Sequence, residues 1–156
     1  MKVNSERKIV ATNRKFFHDY NSLEQYEAGL MLAGSEVKSL RDSKASLQDS
    51  FARVEKGEMF VYNLHVNPYS FSGHTSLEPK RKRKLLLHKK EIDKLFGKTT
   101  QKGFLLIPVE IYFNKDGLAK MTLALATRKK GPDKREMLKE RDIERELRRD
   151  NSLKRR

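Results

Sequence analysis

Apolar residues in this chain come in short runs, most of them alternating with polar ones. Ala28, Leu30 and Leu32 alternate around Gly29, which predicts a strand through Leu23–Leu32. Upstream, Ile9-Val10-Ala11 is a short β-like run. It leads into Asn13-Arg14-Lys15-Phe16-Phe17-His18-Asp19-Tyr20, where strand alternation would bury about half of the rings. Beyond Gly34, Val37 and Leu40 lie one turn apart, so Ser35–Arg41 reads as a short helix capped by Ser35. Ser50–Glu55 and Met59–Val66 flank Lys56-Gly57-Glu58 as a hairpin. Pro68–His74 is dense in turn formers and reads as a loop. Leu87, Glu91 and Leu95 share a helical face, so Leu85–Phe96 is predicted as a helix ended by Gly97. Phe104–Phe113 and Leu118–Thr127 make a second hairpin around Asn114-Lys115-Asp116-Gly117.

Short strands broken by turns, with only short helices, predict a mainly β fold: an OB-like antiparallel β-barrel over residues 1–127. From Arg128 the pattern dissolves. Residues 128–156 hold thirteen basic and seven acidic side chains, a net +6, with apolar positions too sparse for a core-packed helix. This basic C-terminal tail is expected to be disordered or helical. Pro132, Asp133 and Glu136 form a capping-box-like start for a helix from about Lys134. At 100° per residue, Lys134, Arg141, Arg145, Arg148 and Arg155 would share about a quarter of its circumference, a cationic stripe about 30 Å long. Glu144 would pair with Arg148 one turn on. With no core partner such a helix is marginal in water, so it is expected to order on RNA.

Charge turns this architecture towards a polyanion. The 156 residues carry a formal net charge of +14, and the pI is near 10.0. A membrane surface is the competing polyanion, but no apolar run approaches the roughly 20 residues of a span. No segment sets a basic face against a broad apolar one either. The polar Met1–Lys8 carries no export signal, and cysteine is absent, which together lead us to expect a cytoplasmic protein.

Catalytic chemistry finds no foothold in the motifs. His18, His65, His74 and His88 lack metal-ligand spacing, and there is no phosphate-binding glycine loop or nucleophile elbow. Neither a metal nor a cofactor is expected, and the chain is read as a non-enzyme. Lys80-Arg81-Lys82-Arg83-Lys84 is the strongest local signal. Five adjacent cations repel one another, so the isolated protein has no use for them, whereas phosphates would relieve the repulsion. The leucines that follow anchor the run to the core. Arg14 and Lys15, beside Phe16, Phe17 and Tyr20, offer backbone contacts next to rings able to stack on bases.

Several stretches, in order, resemble the SsrA-binding protein family over about residues 8–150. They are Asn13-Arg14-Lys15 with His18-Asp19-Tyr20, Glu27-Ala28-Gly29-Leu30, Gly34-Ser35-Glu36-Val37-Lys38-Ser39-Leu40-Arg41, Lys82-Arg83-Lys84-Leu85-Leu86-Leu87 and Asp133-Lys134-Arg135. The resemblance implies an OB-like barrel that binds the tRNA-like domain of transfer-messenger RNA (tmRNA) and promotes its delivery to stalled ribosomes in trans-translation. It implies an RNA face that includes Asn13, Glu27 and Leu86. Charge and position add Lys38, Arg41, Arg81 and Arg83. It further implies a tail that becomes helical in the empty mRNA channel near the decoding centre of the small subunit. There Lys134, Arg135, Lys139, Arg141 and Arg145 would meet 16S rRNA. Elongation factor Tu with GTP would join through the charged RNA, and the protein is expected to be a monomer. The alternative reading is a structural ribosomal protein binding rRNA through a basic extension.

Overall fold

A computed structural model describes residues 7–69 and 77–154, with side chains except at 102, 131–137 and 152–154. Its first elements are β1 (Lys8–Thr12), α1 (Arg14–Asp19), β2 (Tyr20–Leu30), α2 (Gly34–Arg41) and β3 (Ala45–Ser46). Then come β4 (Phe51–Glu55), β5 (Glu58–Tyr62), β6 (His65–Val66) and β7 (Arg83–Leu86). Finally α3 (Lys89–Lys102), β8 (Leu105–Phe113), β9 (Ala119–Arg128) and α4 (Gly131–Lys154) complete the chain.

The main sheet runs β1-β8-β4-β5-β7-β2-β9, and the further pairing of β9 with β8 closes it into an antiparallel barrel. Closure removes the exposed edges a sheet of this size would otherwise present. β1 lies outside the ring, paired with β8 from Glu110 to Phe113, while β4 meets β8 at Leu106. β3 and β6 form a separate two-stranded ribbon.

Turn chemistry sets both hairpins. Lys56 and Gly57 have φ of 50° and 76°, both left-handed, as a two-residue turn matched to strand twist demands. In the β8–β9 turn, Asn114 Oδ1 accepts from the N–H groups of Asp116 (3.1 Å) and Leu118 (2.9 Å), and Gly117 takes φ 75°.

Met59, Val61, Leu85, Leu106, Ile111, Met121, Leu123 and Leu125 fill the barrel, and Ile92 and Leu95 of α3 join the same core. A second, outer layer forms where Phe16 of α1 covers Ile107, Val109, Ala124 and Ala126. The register shift between Pro108 and Glu110 allows this division. It lets Ile107 and Val109 face outward under α1 while Leu106 and Ile111 stay inside.

Six local expectations need correcting. Leu85 and Leu86 are not the start of a helix: they end β7, with Leu85 buried and Leu86 exposed, and α3 begins at Lys89. An apolar triplet fits either period, and the barrel's need for a strand between β5 and β2 decides it. α3 also runs through Gly97 and stops at Gly103 in the left-handed conformation, φ 65°. The helix cap is Ala33, not Ser35; Glu36 reaches back to accept from the Ala33 N–H at 3.0 Å. Residues 14–19 form a helix, not a strand, because the Asn13 side chain accepts from Phe16 N and starts one. Finally, β5 stops at Tyr62, and α4 begins at Gly131, before Lys134. Most of the loop expected over Pro68–His74 lies outside the described residues.

Candidate nucleic-acid interface

Strand register assembles a row of residues across the barrel wall. Ile9 of β1 pairs with Tyr112 of β8, Tyr112 with Lys120 of β9, Lys120 with Gly29 of β2, and Gly29 with Leu86 of β7. Strands sit about 4.8 Å apart, so the row runs roughly 19 Å along the curved wall. Its two ends are apolar and exposed: Ile9 at 54% and Leu86 at 51%. Leu86 is nonetheless fixed in place. A Cβ at Gly29 would lie 3.2 Å from Leu86 Cβ, so the leucine lies directly over the bare glycine backbone.

Beside the row, Glu27 pairs with Thr122, and Thr122 with Glu110. The exposed Glu27 accepts a hydrogen bond from the hydroxyl of the buried Tyr112. Arg7 covers the Tyr112 ring at 3.7 Å and forms an ion pair with Glu110. Burial first, and then the bond to Glu27, push the phenol well above its ordinary pKa, so it stays protonated and donating.

Of the predicted site residues, Glu27 and Leu86 stand on this surface. α2 brings Arg41 to its rim: the guanidinium lies 5.0 Å from the Phe113 ring, and Lys8 Nζ approaches Arg41 O at 3.4 Å. Lys38, one turn earlier on α2, is exposed, with Nζ 5.5 Å from the Tyr69 ring. Asn13 faces inward, only 7% exposed. Its side chain caps α1 and donates to Pro108 O at 2.9 Å, pinning the helix to the irregular part of β8.

The basic run 80–84 corrects the sequence reading most sharply, because the fold does use these cations. Arg83 is 1% exposed, against the RNA-facing placement expected for it. Its guanidinium donates to Glu36 Oε2 (2.6 Å) and to the carbonyls of Leu64 (2.6 Å), Pro79 (3.0 Å) and Arg81 (3.1 Å). Arg81 pairs with the same Glu36. Lys82 reaches Glu55 at 2.7 Å, and Lys84 reaches Glu58 at 3.1 Å. Strand alternation sends Arg83 inward and its neighbours outward, and acids distant in sequence receive them.

In α4, every residue from Leu138 to Asn151 is exposed, including Lys139, Arg141 and Arg145. Glu144 and Arg148 form the expected ion pair. Side chains of Lys134 and Arg135, and all of Arg155, lie outside the described residues. Sequence reasoning missed Tyr112, Lys120, Arg7 and Ile9. The hairpin turn alone could have placed Tyr112 opposite Lys120, but nothing local announces that β2 lies beside β9.

A small, closed, strongly basic barrel with an exposed polar and apolar strip, from which a cationic helix extends, is the architecture of an RNA-binding barrel. Comparison with known proteins narrows the class. The family described as SmpB protein matches residues 10–153. An SsrA-binding protein of Geobacter sulfurreducens is 54% identical over 140 residues, covering 90% of this chain and 91% of the relative. One from Pelotomaculum thermopropionicum is 56% identical over 140 residues, with the same shares covered. A solved chain described as "tmRNA-SmpB: a journey to the center of the bacterial ribosome" superposes with a TM-score of 0.65 at 52% identity. That match covers 77% of this chain and 84% of the other. The chain belongs to the SmpB protein family.

Proposed function

We propose that this chain binds tmRNA and promotes its delivery to stalled ribosomes, enabling trans-translation. Family membership and the likeness to a chain from a tmRNA–SmpB ribosome study support the assignment. The observation that carries it to a surface is the strip around Gly29, where Glu27 and Leu86 are exposed on adjacent strands yet held rigidly. Such a surface suits folded RNA. A carboxylate accepts from base amino groups or 2′-hydroxyls, an apolar side chain packs on an unstacked base or sugar, and neighbouring cations meet phosphates. Lys38, Arg41 and Lys120 supply charge near that strip, and the tRNA-like domain of the RNA is its partner.

The tail performs a second task. On this reading Lys134, Arg135, Lys139, Arg141 and Arg145 contact 16S rRNA phosphates in an mRNA channel left empty by the stall. The exposure of α4 from Leu138 to Asn151 supports this, since side chains left open to solvent along that stretch can reach an outside partner. Elongation factor Tu with GTP joins through the charged RNA. The protein acts in the cytoplasm as a monomer, binding and positioning without catalysis.

Filter binding of the purified chain to a tRNA-shaped transcript and to a random transcript of equal length tests the proposal. Tighter binding to the former, falling steeply with salt, is expected. Equal affinity for both RNAs would refute it.

A further inference from the structure

Two tyrosine–glutamate pairs involve β2, and they differ in one respect. Tyr26 donates to Glu24, which also accepts from Lys98 at 2.6 Å and faces Lys94 at 3.6 Å. Glu24 is thereby neutralised, and the cluster fastens α3 to β2. Glu27 is left open. Among the described residues Tyr112 is its hydrogen-bonding partner, through Oε2, while no cation pairs with it and Oε1 accepts from no protein group. An exposed carboxylate without a cation, in a chain of net charge +14, contributes little to stability. Yet its orientation is set by a hydroxyl from a residue 2% exposed, whose ring is sealed under Arg7. Arg7 is tied in turn to Glu110, and Thr122 donates to Glu110 at 3.3 Å. A clamp of this construction fixes the direction of the remaining oxygen.

We infer that Tyr112 is a positioning residue for RNA binding: its buried hydroxyl holds Glu27 Oε2 so that Oε1 is presented in one orientation to a donor on the RNA, a base amino group or a ribose 2′-hydroxyl. The inference rests on the proposed RNA role of the strip. A free glutamate side chain loses rotamer freedom when it binds, whereas a clamped one has lost it already. Arg7 completes the device by shielding the phenol from water, so that its hydroxyl has no competing partner.

A double-mutant cycle tests it, with affinity for a tRNA-shaped RNA measured for wild type, Tyr112→Phe, Glu27→Ala and the double variant. Phenylalanine keeps the ring and its Arg7 contact and deletes one hydroxyl. Tyr112→Phe should weaken binding by up to about tenfold, the loss expected when one glutamate side chain regains its rotamer freedom in the unbound protein. In the Glu27→Ala background the same change should have almost no effect. Equal losses in both backgrounds would make Tyr112 merely structural, and no loss in either would make the clamp immaterial; each overturns the inference. If Glu27→Ala binds like wild type, the clamp idea falls while tmRNA binding stands. If wild type itself shows no preference for tRNA-shaped RNA, both fall. A measurement that needs no tyrosine variant guards against misfolding: a slowly exchanging Tyr112 hydroxyl proton in the NMR spectrum, lost in Glu27→Ala. Its absence from the wild-type spectrum would also overturn the inference.

Discussion

Arg83 Nε lies 2.6 Å from Glu36 Oε2, and both side chains are sealed from water at 1% and 5% exposure. The pair ties β7 to α2 across 47 residues of chain, and three carbonyls take further guanidinium donors. A buried charge is tolerated only when its partners are present and its remaining donors are satisfied.

Removing one member leaves the other buried and uncompensated. Arg83→Met or Glu36→Ala is therefore expected to cost about 3–5 kcal/mol, read from chemical denaturation. Lys82→Ala, at the exposed neighbouring pair, should leave the denaturation midpoint nearly unchanged. Equal effects at the two positions would contradict the inward placement of Arg83.

Acid should loosen the fold chiefly through Glu36, with smaller contributions from the solvent-screened Glu24 and Glu55. Burial alone would raise the Glu36 carboxyl, but hydrogen bonds from Arg81, the Ala33 N–H and Arg83 outweigh it and hold it low. Glu24, chiefly through Lys98 and then Tyr26, is held down to about 2 from the ordinary 4.5. Glu55, through Lys82, Tyr62 and Arg53, is held down to about 2 as well. A depressed carboxylate contributes stability that is complete above the ordinary value and is lost as pH falls through the folded one. Melting temperature should thus hold steady above about pH 5 and fall progressively towards pH 2. Added salt should blunt the contributions of the half-buried Glu24 and Glu55 more than that of the buried Glu36. A flat melting temperature across that window would contradict the assignment.

Gly29→Ala probes the strip without touching an RNA-facing group. The new methyl would stand 3.2 Å from Leu86 Cβ, which is backbone-proximal and has little room to yield. Displacement of Leu86 should weaken binding to tRNA-shaped RNA severalfold, by an amount similar to Leu86→Asp, with the circular dichroism spectrum unchanged. Wild-type affinity in Gly29→Ala would remove Leu86 from the interface.

Truncation after Asp133 should separate two functions. Nothing in the barrel core comes from residues 138–151, so the shortened protein should fold and retain its RNA affinity. Tagging of stalled nascent chains, measured with a reconstituted translation system, should be abolished. Parallel loss of RNA binding and tagging would mean that the tail is not a separate ribosomal sensor.

Glu27 and Leu86 were legible before any coordinates, because they sit in stretches that resemble a known family, and both reach the exposed strip. Asn13 was legible as a position but not as a role. Its side chain turned out to cap a helix and hold Pro108, a long-range contact that local pattern does not encode. Tyr112 was hidden for the opposite reason: within an apolar strand it looks like one more core ring, and only its outward register reveals a buried hydroxyl aimed at Glu27.

From sequence alone came the alternating strands, the glycine and asparagine turns, the change of character at Arg128 and the excess of positive charge. Each depends on residues a few positions apart, or on composition. Tertiary structure alone decided that the barrel closes through β8 and β9, that Leu85 and Leu86 continue a strand, and that the run 80–84 is largely spent on Glu36, Glu55 and Glu58. A charge is neutralised by what lies beside it in space, and in a closed antiparallel barrel those neighbours come from strands remote in sequence.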